Sequence, residues 1–338
     1  MPGAGTMPCG WALQARRVAF ALAVTTAAAV HSTASAQAAA SRPRSDTEWL
    51  QAIQNAAQRT NYSGTIYYQQ GADVRISRIV HQFDGSTSRE RLQILDGERR
   101  EYVRKADEVQ CLLPDSKRII VEKRPVGANF PALSKAAPAD ILRYYVLRRG
   151  AIERVADAEC QVIVLEPKDG VRYGYRLWVE RSTGLLLRAQ MLSERQEVIE
   201  QMAFTDVRFG EPPDAARLQP SWPTDGWRIE KVETKPVDIS KWSLVVPEGF
   251  RQLNAVMRRL SGNAARDAVQ AIYSDGLATF SVFIEPEQGG TAASSAKSRG
   301  SINAYVHRVG DMTITVVGEV PPNTVRDVAL SVKVRPTR

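Results

Sequence analysis

The chain has 338 residues, 43% of them hydrophobic, and a formal net charge of +8 at pH 7. A chain of this length has room for two ordinary domains. Beyond its N-terminal segment it contains no apolar run of bilayer-spanning length, so we expect no transmembrane segment and a soluble mature chain.

Residues 1–36 are typical of a secretory signal peptide. Arg16 and Arg17 precede the apolar run VAFALAVTTAAAV, and Ala34-Ser35-Ala36 is a small-residue cleavage site. Cleavage there removes two arginines and no acid, which lowers the net charge from +8 to +6. An exported protein rarely meets nucleic acid, so we expect no such partner. The remaining basic excess suits phosphate-bearing lipid or an acidic protein segment, or it only aids solubility.

The mature chain is predicted to begin with a helix and to continue as strands. Ser45 and Glu48 have capping-box spacing, and an apolar stripe of Trp49, Ile53, Ala56 and Ala57 follows at helical spacing. After an Asn-Tyr-Ser-Gly turn at 61–64 the apolar period becomes two and stays so through KRIIVEKR at 117–124. Strands spaced this closely indicate an antiparallel meander.

A second helix is predicted from Pro138 through ADILRYYVLRR, with Gly150 at its C′ position. The hairpin at 172–192 then carries large apolar groups on both faces, with Tyr175 and Leu177 on one and Trp178 on the other. A half-solvated sheet would show one cleaner polar face. We therefore predict a curled antiparallel sheet, a half-barrel whose concave face is covered by helices or by a ligand.

The predicted fold class is α+β, with a second and smaller α+β domain. Residues 45–209 form the first domain, 210–226 a linker rich in Pro, Gly and Asp, and 227–338 the second domain. Within the second domain, 287–301 is predicted as a flexible loop, and a last helix is predicted with Asn323 as its N-cap. FRQLNAVMRRL, at 250–260, fits a helix or a strand.

Two cysteines remain after cleavage, because Cys9 lies in the signal peptide. Cys111 and Cys160 allow only one intramolecular pairing, and we predict a structural disulfide in an oxidising compartment. Two buried thiols are the alternative. No C-x-x-C motif supports a redox role.

The sequence carries no positive sign of catalysis, a metal or a cofactor. His81 and His307 lie in strand patterns, where a lone histidine is usually structural, and no zinc, calcium, P-loop, dinucleotide or G-x-S-x-G motif occurs. Asp275-Gly276 reads as a hairpin turn. We therefore expect no enzyme and no cofactor.

The remaining functional hypothesis is that the protein provides a binding surface. Several aromatic residues are candidates to line a lipid cavity in the curled sheet, although aromatics at strand spacing are also ordinary core residues. They are Tyr67, Tyr68, Tyr102, Tyr144, Tyr145 and Trp178. Basic residues of the middle strands, among them Arg100 and Arg104, either bind phosphates or guard an exposed strand edge.

Four stretches together resemble the RseB/MucB family of periplasmic co-regulators of envelope-stress sigma factors. They are LDGERREYVRK (95–105), RYGYRLWVERSTGLLLRAQML (172–192), YSDGLATFSV (273–282) and VVGEVPPNTVRDVALSVKV (316–334). Each is weak alone, but they occur in the family's order over nearly the whole mature chain. The resemblance implies a lipoprotein-carrier-like first domain and a smaller second one.

The resemblance also implies a function in negative regulation. Such proteins bind the periplasmic segment of a transmembrane anti-sigma factor and shield it from the first regulatory protease, and lipid or lipopolysaccharide is thought to release them. The motifs do not map the contacts. Our candidates for a partner surface in the second domain are Arg258, Arg259, Ser274, Asp275 and Gly276.

Two rival functions remain at this point. A periplasmic lipoprotein or lipid carrier would use the same cavity for transport, but such carriers have a single domain. A secreted hydrolase lacks support because no nucleophile or base motif is present. The identity of the partner, the releasing ligand and the oligomeric state, a homo-oligomer included, are open.

Overall fold

The computed structural model describes residues 44–123, 136–260, 266–286 and 294–334. The predicted signal peptide, with its cleavage site at 34–36, lies outside these residues. Among the described residues, no helix is both long and apolar enough to cross a bilayer.

Twelve strands of the described chain form one large sheet in the order β12-β6-β5-β4-β3-β2-β1-β11-β10-β9-β8-β7. The elements in chain order are α1 (Asp46–Arg59), β1 (Tyr62–Gln70), β2 (Asp73–Phe83), β3 (Ser88–Ile94), β4 (Arg100–Lys105), β5 (Glu108–Leu113), β6 (Arg118–Lys123), α2 (Pro138–Tyr144), β7 (Tyr145–Val155), β8 (Ala158–Pro167), β9 (Gly174–Glu180), β10 (Leu186–Leu192), β11 (Val198–Phe209) and β12 (Arg228–Lys231). Strand β7 contacts β11 although three strands separate them in the sheet, so the sheet is curled, as predicted.

Helix α1 begins where the sequence predicts. The Ser45 hydroxyl accepts a hydrogen bond from the Glu48 amide, and the Glu48 carboxylate accepts one from the Ser45 amide, which completes the capping box. Its apolar stripe packs on the β9–β10 hairpin, where Trp49, Leu50 and Ile53 share a core cluster with Tyr175 and Leu177. This contact confirms that a helix covers one face of the hairpin.

The second predicted helix is too long. Helix α2 ends at Tyr144, and the next residue starts β7. Tyr145 and Leu147 are buried while Val146 and Arg148 are exposed, a period of two that suits pairing with β8. Gly150 is therefore not a helix cap. It lies at an irregularity of β7, where an added Cβ would be 3.2 Å from the Val162 side chain.

The predicted linker runs along the large sheet. The buried Glu101 carboxylate accepts hydrogen bonds from the Ser221 amide, and Arg91 donates to the Gln219 carbonyl at 3.0 Å. Beyond the linker, β12 pairs with β6 as a parallel strand and so extends the large sheet. The sequence pattern alone assigns β12 to the second domain, because its partner is more than 100 residues away.

A smaller sheet of seven described strands follows, in the order β13-β15-β16-β17-β20-β19-β18. Its elements are β13 (Thr234–Pro236), β15 (Arg251–Leu260), β16 (Arg266–Ser274), β17 (Thr279–Pro286), β18 (Ser295–Arg299), β19 (Ile302–Val309), β20 (Met312–Gly318) and α3 (Pro322–Ser331), while β14 (Trp242–Ser243) pairs with β21 (Lys333–Val334). Helix α3 packs on the sheet through Val325, Val328 and Ala329. The α+β class with a second, smaller sheet domain is confirmed.

Three details of this second sheet differ from the sequence patterns. The ambiguous segment at 250–260 forms a strand, β15, because two neighbouring strands pair with it. Ser295–Arg299, part of the predicted loop, forms β18. Asn323 is not the N-cap of α3, since that position is Pro321; its side-chain amide donates to the Gly170 carbonyl at 3.2 Å instead.

The predicted disulfide does not form. Cys111 lies on β5 and Cys160 on β8, eight strand positions apart in the large sheet. Neighbouring strands are about 4.8 Å apart, whereas a disulfide requires Cα atoms within roughly 7 Å. Cys160 is fully buried, and burial raises the pKa of its thiol to about 12.

Candidate functional site

The curled sheet encloses a cavity of about 660 Å³ beneath α1. Strands β1 to β4 and β11 form its wall, and the C-terminal half of α1 with the start of β10 closes it above. The volume is in the range of pockets that bind small organic molecules. The cavity is therefore the first candidate site.

The inner end of the cavity is apolar and buried. Ile53 comes from α1, Ile79 from β2, and Phe204 from β11, each less than a tenth exposed. Further apolar lining residues are Ile66, Leu92, Ile94, Leu185, Leu186 and Met202. Surroundings of this kind favour an apolar guest. Each 100 Å² of apolar surface that leaves water contributes about 2.5 kcal/mol to binding.

The mouth of the cavity is charged with both signs. Arg75 is exposed there, and Asp96 and Glu98 lie in the exposed turn between β3 and β4. Arg100 pairs with Glu98 at 3.1 Å. Arg100 and Arg104 therefore face the cavity rather than an exposed strand edge, and the positive charge at the mouth is partly balanced by carboxylates.

A cluster of polar side chains lies at one wall of the cavity, where Tyr62, Glu90 and Arg104 line the cavity and His81 packs against Tyr62. The Tyr62 ring stacks on His81 with centroids 4.9 Å apart, and His81 Nδ1 lies 2.8 Å from the Thr60 carbonyl oxygen. Arg104 pairs with Glu90 at 3.0 Å. Burial raises the pKa of Tyr62 and lowers that of His81, so both side chains are neutral at pH 7.

The structure brings only some of the predicted cavity residues together. Tyr68 and Tyr102 line the cavity, whereas Tyr67 points to the opposite face of β1. Trp178 also points away from α1, donating to Glu153 at 2.8 Å and stacking on Arg188 at 4.4 Å. Tyr144 ends α2 and lies outside the cavity. Because side chains alternate along a strand, the neighbours Tyr67 and Tyr68 point to opposite faces of the sheet. A prediction based only on aromatic residue type does not distinguish them.

A second candidate region is the inter-sheet interface, where the small sheet packs against the large one. Arg172, just before β9, is fully buried there and lies 3.2 Å from Asp275, which is in the β16–β17 turn of the small sheet. Arg172 also donates to the Glu248 carbonyl at 2.5 Å. Its guanidinium stacks on Tyr144 at 4.6 Å and on Phe250 at 5.1 Å.

The Asp275 carboxylate accepts hydrogen bonds both from its own turn and from β7 of the large sheet. Its carboxylate accepts hydrogen bonds from the amides of Leu277 and Ala278 and from the Tyr145 hydroxyl. Burial raises the pKa of Asp275, and the backbone amides and Arg172 oppose that shift. Sequence analysis finds the Asp-Gly turn but misses Arg172, which alternates with apolar residues as a solvent-facing arginine would.

The predicted partner surface is not one exposed patch in this structure. Ser274, Asp275 and Gly276 are buried in the inter-sheet interface. Arg258 and Arg259 are near the other end of the β15–β16 hairpin, with Arg258 3.6 Å from Glu122 of β6. The two groups are thus separated by about 20 Å of strand at roughly 3.3 Å per residue.

The described residues include no group of three or more His, Cys, Asp or Glu side chains placed to hold a metal ion. The two features that these residues do offer are an apolar cavity with a charged mouth and a polar interface between two sheets.

Comparison with known proteins gives the same family for both parts of the chain. Residues 45–222 match the family described as MucB/RseB N-terminal domain, and residues 236–333 match MucB/RseB C-terminal domain. The chain is 31% identical over 296 residues to the sigma factor AlgU regulatory protein MucB of Pseudomonas aeruginosa, covering 85% of this chain and 90% of that protein. It is 29% identical over 294 residues to the sigma-E factor regulatory protein RseB of Salmonella typhimurium, covering 85% and 90%.

A solved structure is similar over both sheets. The crystal structure of MucB in complex with MucA(peri) matches with a TM-score of 0.70 and 29% identity, covering 87% of this chain and 100% of that chain. These relatives are named as regulators of sigma factors, not as enzymes. Because both family descriptions match and together span most of the sequence, the chain belongs to the MucB/RseB family.

Proposed function

We propose that this protein is a periplasmic co-regulator that binds the periplasmic segment of a transmembrane anti-sigma factor. The observation that carries the proposal is the similarity of the chain, over 87% of its length, to MucB in complex with MucA(peri). Export by the predicted signal peptide would place the chain in the same compartment as such a segment. Binding would shield the segment from the first regulatory protease and so restrain the envelope-stress response.

The cavity supports a second part of the proposal, the sensing of lipid. Its buried apolar end suits acyl chains, and Arg75, Arg100 and Arg104 at its side and mouth suit a phosphate group such as that of lipopolysaccharide. Release of the partner is then a linkage effect. A lipid that prefers the partner-free form must weaken partner binding by the ratio of its two affinities, and couplings of this kind are typically about 5- to 150-fold.

The test measures binding of the mature protein to the purified periplasmic segment of the organism's anti-sigma factor, with and without lipopolysaccharide. We expect tight binding that lipopolysaccharide weakens by at least fivefold. A segment that does not bind under any condition would refute the co-regulator proposal.

Two variants test whether lipopolysaccharide acts through the cavity while the partner binds at another site. Ile94→Trp fills the cavity, so we expect partner binding to persist while the effect of lipopolysaccharide is lost. Val74→Trp is the matched control, because Val74 is exposed on the opposite face of β2 and does not line the cavity. Equal lipid sensitivity in both variants would place the lipid effect outside the cavity.

A periplasmic lipoprotein or lipid carrier remains the second candidate, because the same cavity would serve transport. A carrier should accept an acylated protein and transfer it to an acceptor membrane. Transfer activity without binding of the anti-sigma segment would favour the carrier.

A further inference from the structure

A small polar pocket lies on the face of the large sheet opposite the cavity. Its volume is about 230 Å³, and residues of β1, β10 and β11 line it. Tyr68 lines the cavity, so its neighbour Gln69, which lines the pocket, points to the other face of β1. At roughly 30 Å³ for a group the size of a water molecule, the pocket has room for about seven or eight such groups, the size of a single amino acid.

Three glutamines form a continuous row along this pocket. Gln69 of β1 is opposite Gln201 of β11, and Gln201 is opposite Gln190 of β10. Gln201 Nε2 donates to Gln69 Oε1 at 2.8 Å, and Gln190 Nε2 donates to Gln201 Oε1 at 3.0 Å. Each side-chain amide nitrogen carries a second hydrogen, so the row keeps donors for a guest.

The last amide of the row lacks a hydrogen-bond donor. Gln190 is 5% exposed, and its Oε1 is buried without a partner among the described residues. A buried acceptor without a donor is unfavourable. The last torsion of a glutamine side chain is soft, so the amide can turn Oε1 toward a guest at little cost. The pocket can therefore accept one N–H or O–H group from a ligand.

Arg188, which also lines the pocket, supplies a positive charge. Its guanidinium lies 4.4 Å from the Trp178 ring centroid and donates to Gln201 Oε1 at 3.4 Å. Within the part of the chain that the structure describes, Arg188 forms no ion pair, and its Nε has no hydrogen-bond partner. A guanidinium positioned by stacking is suited to a carboxylate, which it binds through two parallel hydrogen bonds.

The nearby carboxylates do not pair with Arg188. Glu153 accepts the hydrogen bond from Trp178 Nε1 at 2.8 Å. Glu200 belongs to the lining, but its neighbour Gln201 lies in the glutamine row, so the Glu200 carboxylate points to the other face of β11. The pocket therefore offers a cation, amide donors and one free acceptor together.

We propose that this pocket binds a carboxylate that stands next to an amide, as at the C-terminal end of a peptide. Arg188 holds the carboxylate, Gln190 Oε1 accepts the adjacent amide N–H, and the glutamine row donates to the amide carbonyl. The volume admits one terminal residue, and the rest of the peptide stays outside. The site is on the opposite face of the sheet from the cavity, so it requires neither the lipid nor the anti-sigma segment of the proposed function.

Binding of N-acetyl-alanyl-alanine to the mature protein tests the proposal, measured by isothermal titration calorimetry at pH 7. The control ligand is the same dipeptide with a C-terminal amide, which keeps the amide groups and removes the charge. We expect the acid to bind at least about tenfold more tightly than the amide, because charge-assisted hydrogen bonds are roughly twice as strong as neutral ones. Equal affinity for the two ligands, or no binding of the acid, would overturn the proposal.

Two variants test the assigned residues. Arg188→Met removes the guanidinium but keeps an apolar stem over Trp178, so the preference for the acid should disappear. Gln201→Glu places a negative charge in the row and should abolish binding of the acid by repulsion. Arg78→Met is the matched control, because Arg78 is exposed on the same face of the large sheet and does not line the pocket. It should bind as the parent does.

The cavity variant separates this site from the lipid site. Ile94→Trp fills the cavity and should leave binding of the dipeptide acid unchanged. A loss of binding in Ile94→Trp, or an unchanged preference for the acid in Arg188→Met, would place the ligand elsewhere and refute the assignment.

Discussion

The cavity and the inter-sheet interface are both enclosed by this fold, but they differ in how far charged side chains dominate them. The cavity has a largely apolar inner end and an ion pair, Arg104 with Glu90, in one wall, whereas the interface buries the whole side chains of Arg172 and Asp275. An apolar wall accepts a guest without strict geometry, because the hydrophobic effect is non-directional. A buried charge is stable only opposite its partner.

This difference suggests that the two regions have different functions. The cavity is suited to accept a guest from outside, while the interface is already occupied by the chain's own side chains. Polar interfaces between domains resemble transient contacts between proteins, and relative domain motion is then the usual expectation. The following predictions test whether the two regions differ in this way, from the largest expected effect to the smallest.

Removing the buried arginine should give the largest effect. Arg172→Ala leaves Asp275 buried without its counter-charge, so we expect the free energy of unfolding to fall by about 3–5 kcal/mol. Urea denaturation measures it. Arg148→Ala is the control, since Arg148 forms an exposed pair with Glu166 and should cost less than about 1 kcal/mol.

A double variant sharpens this result. Arg172→Met combined with Asp275→Leu removes both charges, and the loss should be smaller than the sum of the two single losses. If the losses simply add, the two side chains are not coupled and the interface does not depend on this pair.

The large sheet beside the cavity should lose stability at acidic pH because of His81. Burial lowers the pKa of His81, so the unfolded chain takes up the proton first and stability falls as the pH drops below about 6.5. The slope is at most about 1.4 kcal/mol per pH unit. In His81→Gln, the difference from the parent protein in urea denaturation should therefore shrink between pH 7.5 and pH 5.

His307→Gln provides the comparison, because His307 lies on β19 of the small sheet and is only partly buried. It should keep the parent's slope. If both histidine variants show the same slope as the parent, His81 does not govern the acid sensitivity of the cavity wall.

The smallest effect is expected at the helix that covers the cavity. Ser45→Ala removes the hydroxyl that caps α1 and should cost about 1 kcal/mol in the free energy of unfolding. Gln51→Ala, at an exposed position of the same helix, should stay within about 0.5 kcal/mol of the parent. Equal losses in both would mean that the cap does not stabilise α1.

Elements with a local signal were predictable from the sequence. The capping box of α1 needs only Ser45 and Glu48, and the β9–β10 hairpin needs only alternation and a turn. Where a local pattern fitted two structures, pairing decided. Tyr145 to Arg149 could continue a helix, but β8 offers a full ladder of hydrogen bonds and the segment becomes a strand.

The candidate sites were less predictable than the elements. Alternation assigns Tyr68 and Tyr67 to opposite faces of β1, but it does not say which face is concave. The cysteines illustrate the limit as well. Two of them in an exported chain suggest a disulfide, yet Cys111 and Cys160 lie on distant strands because strand order in a sheet of this size is not readable from spacing.

The sequence by itself determined the strand-rich α+β class, the helix that covers the hairpin, and the resemblance to one regulatory family. These depend on periodicity, capping and ordered motifs, all of which are local in the chain. Only the tertiary structure decided that Arg172 meets Asp275 and that β12 joins the large sheet. Such contacts join residues about 100 positions apart, and their stability depends on burial, which a local pattern does not contain.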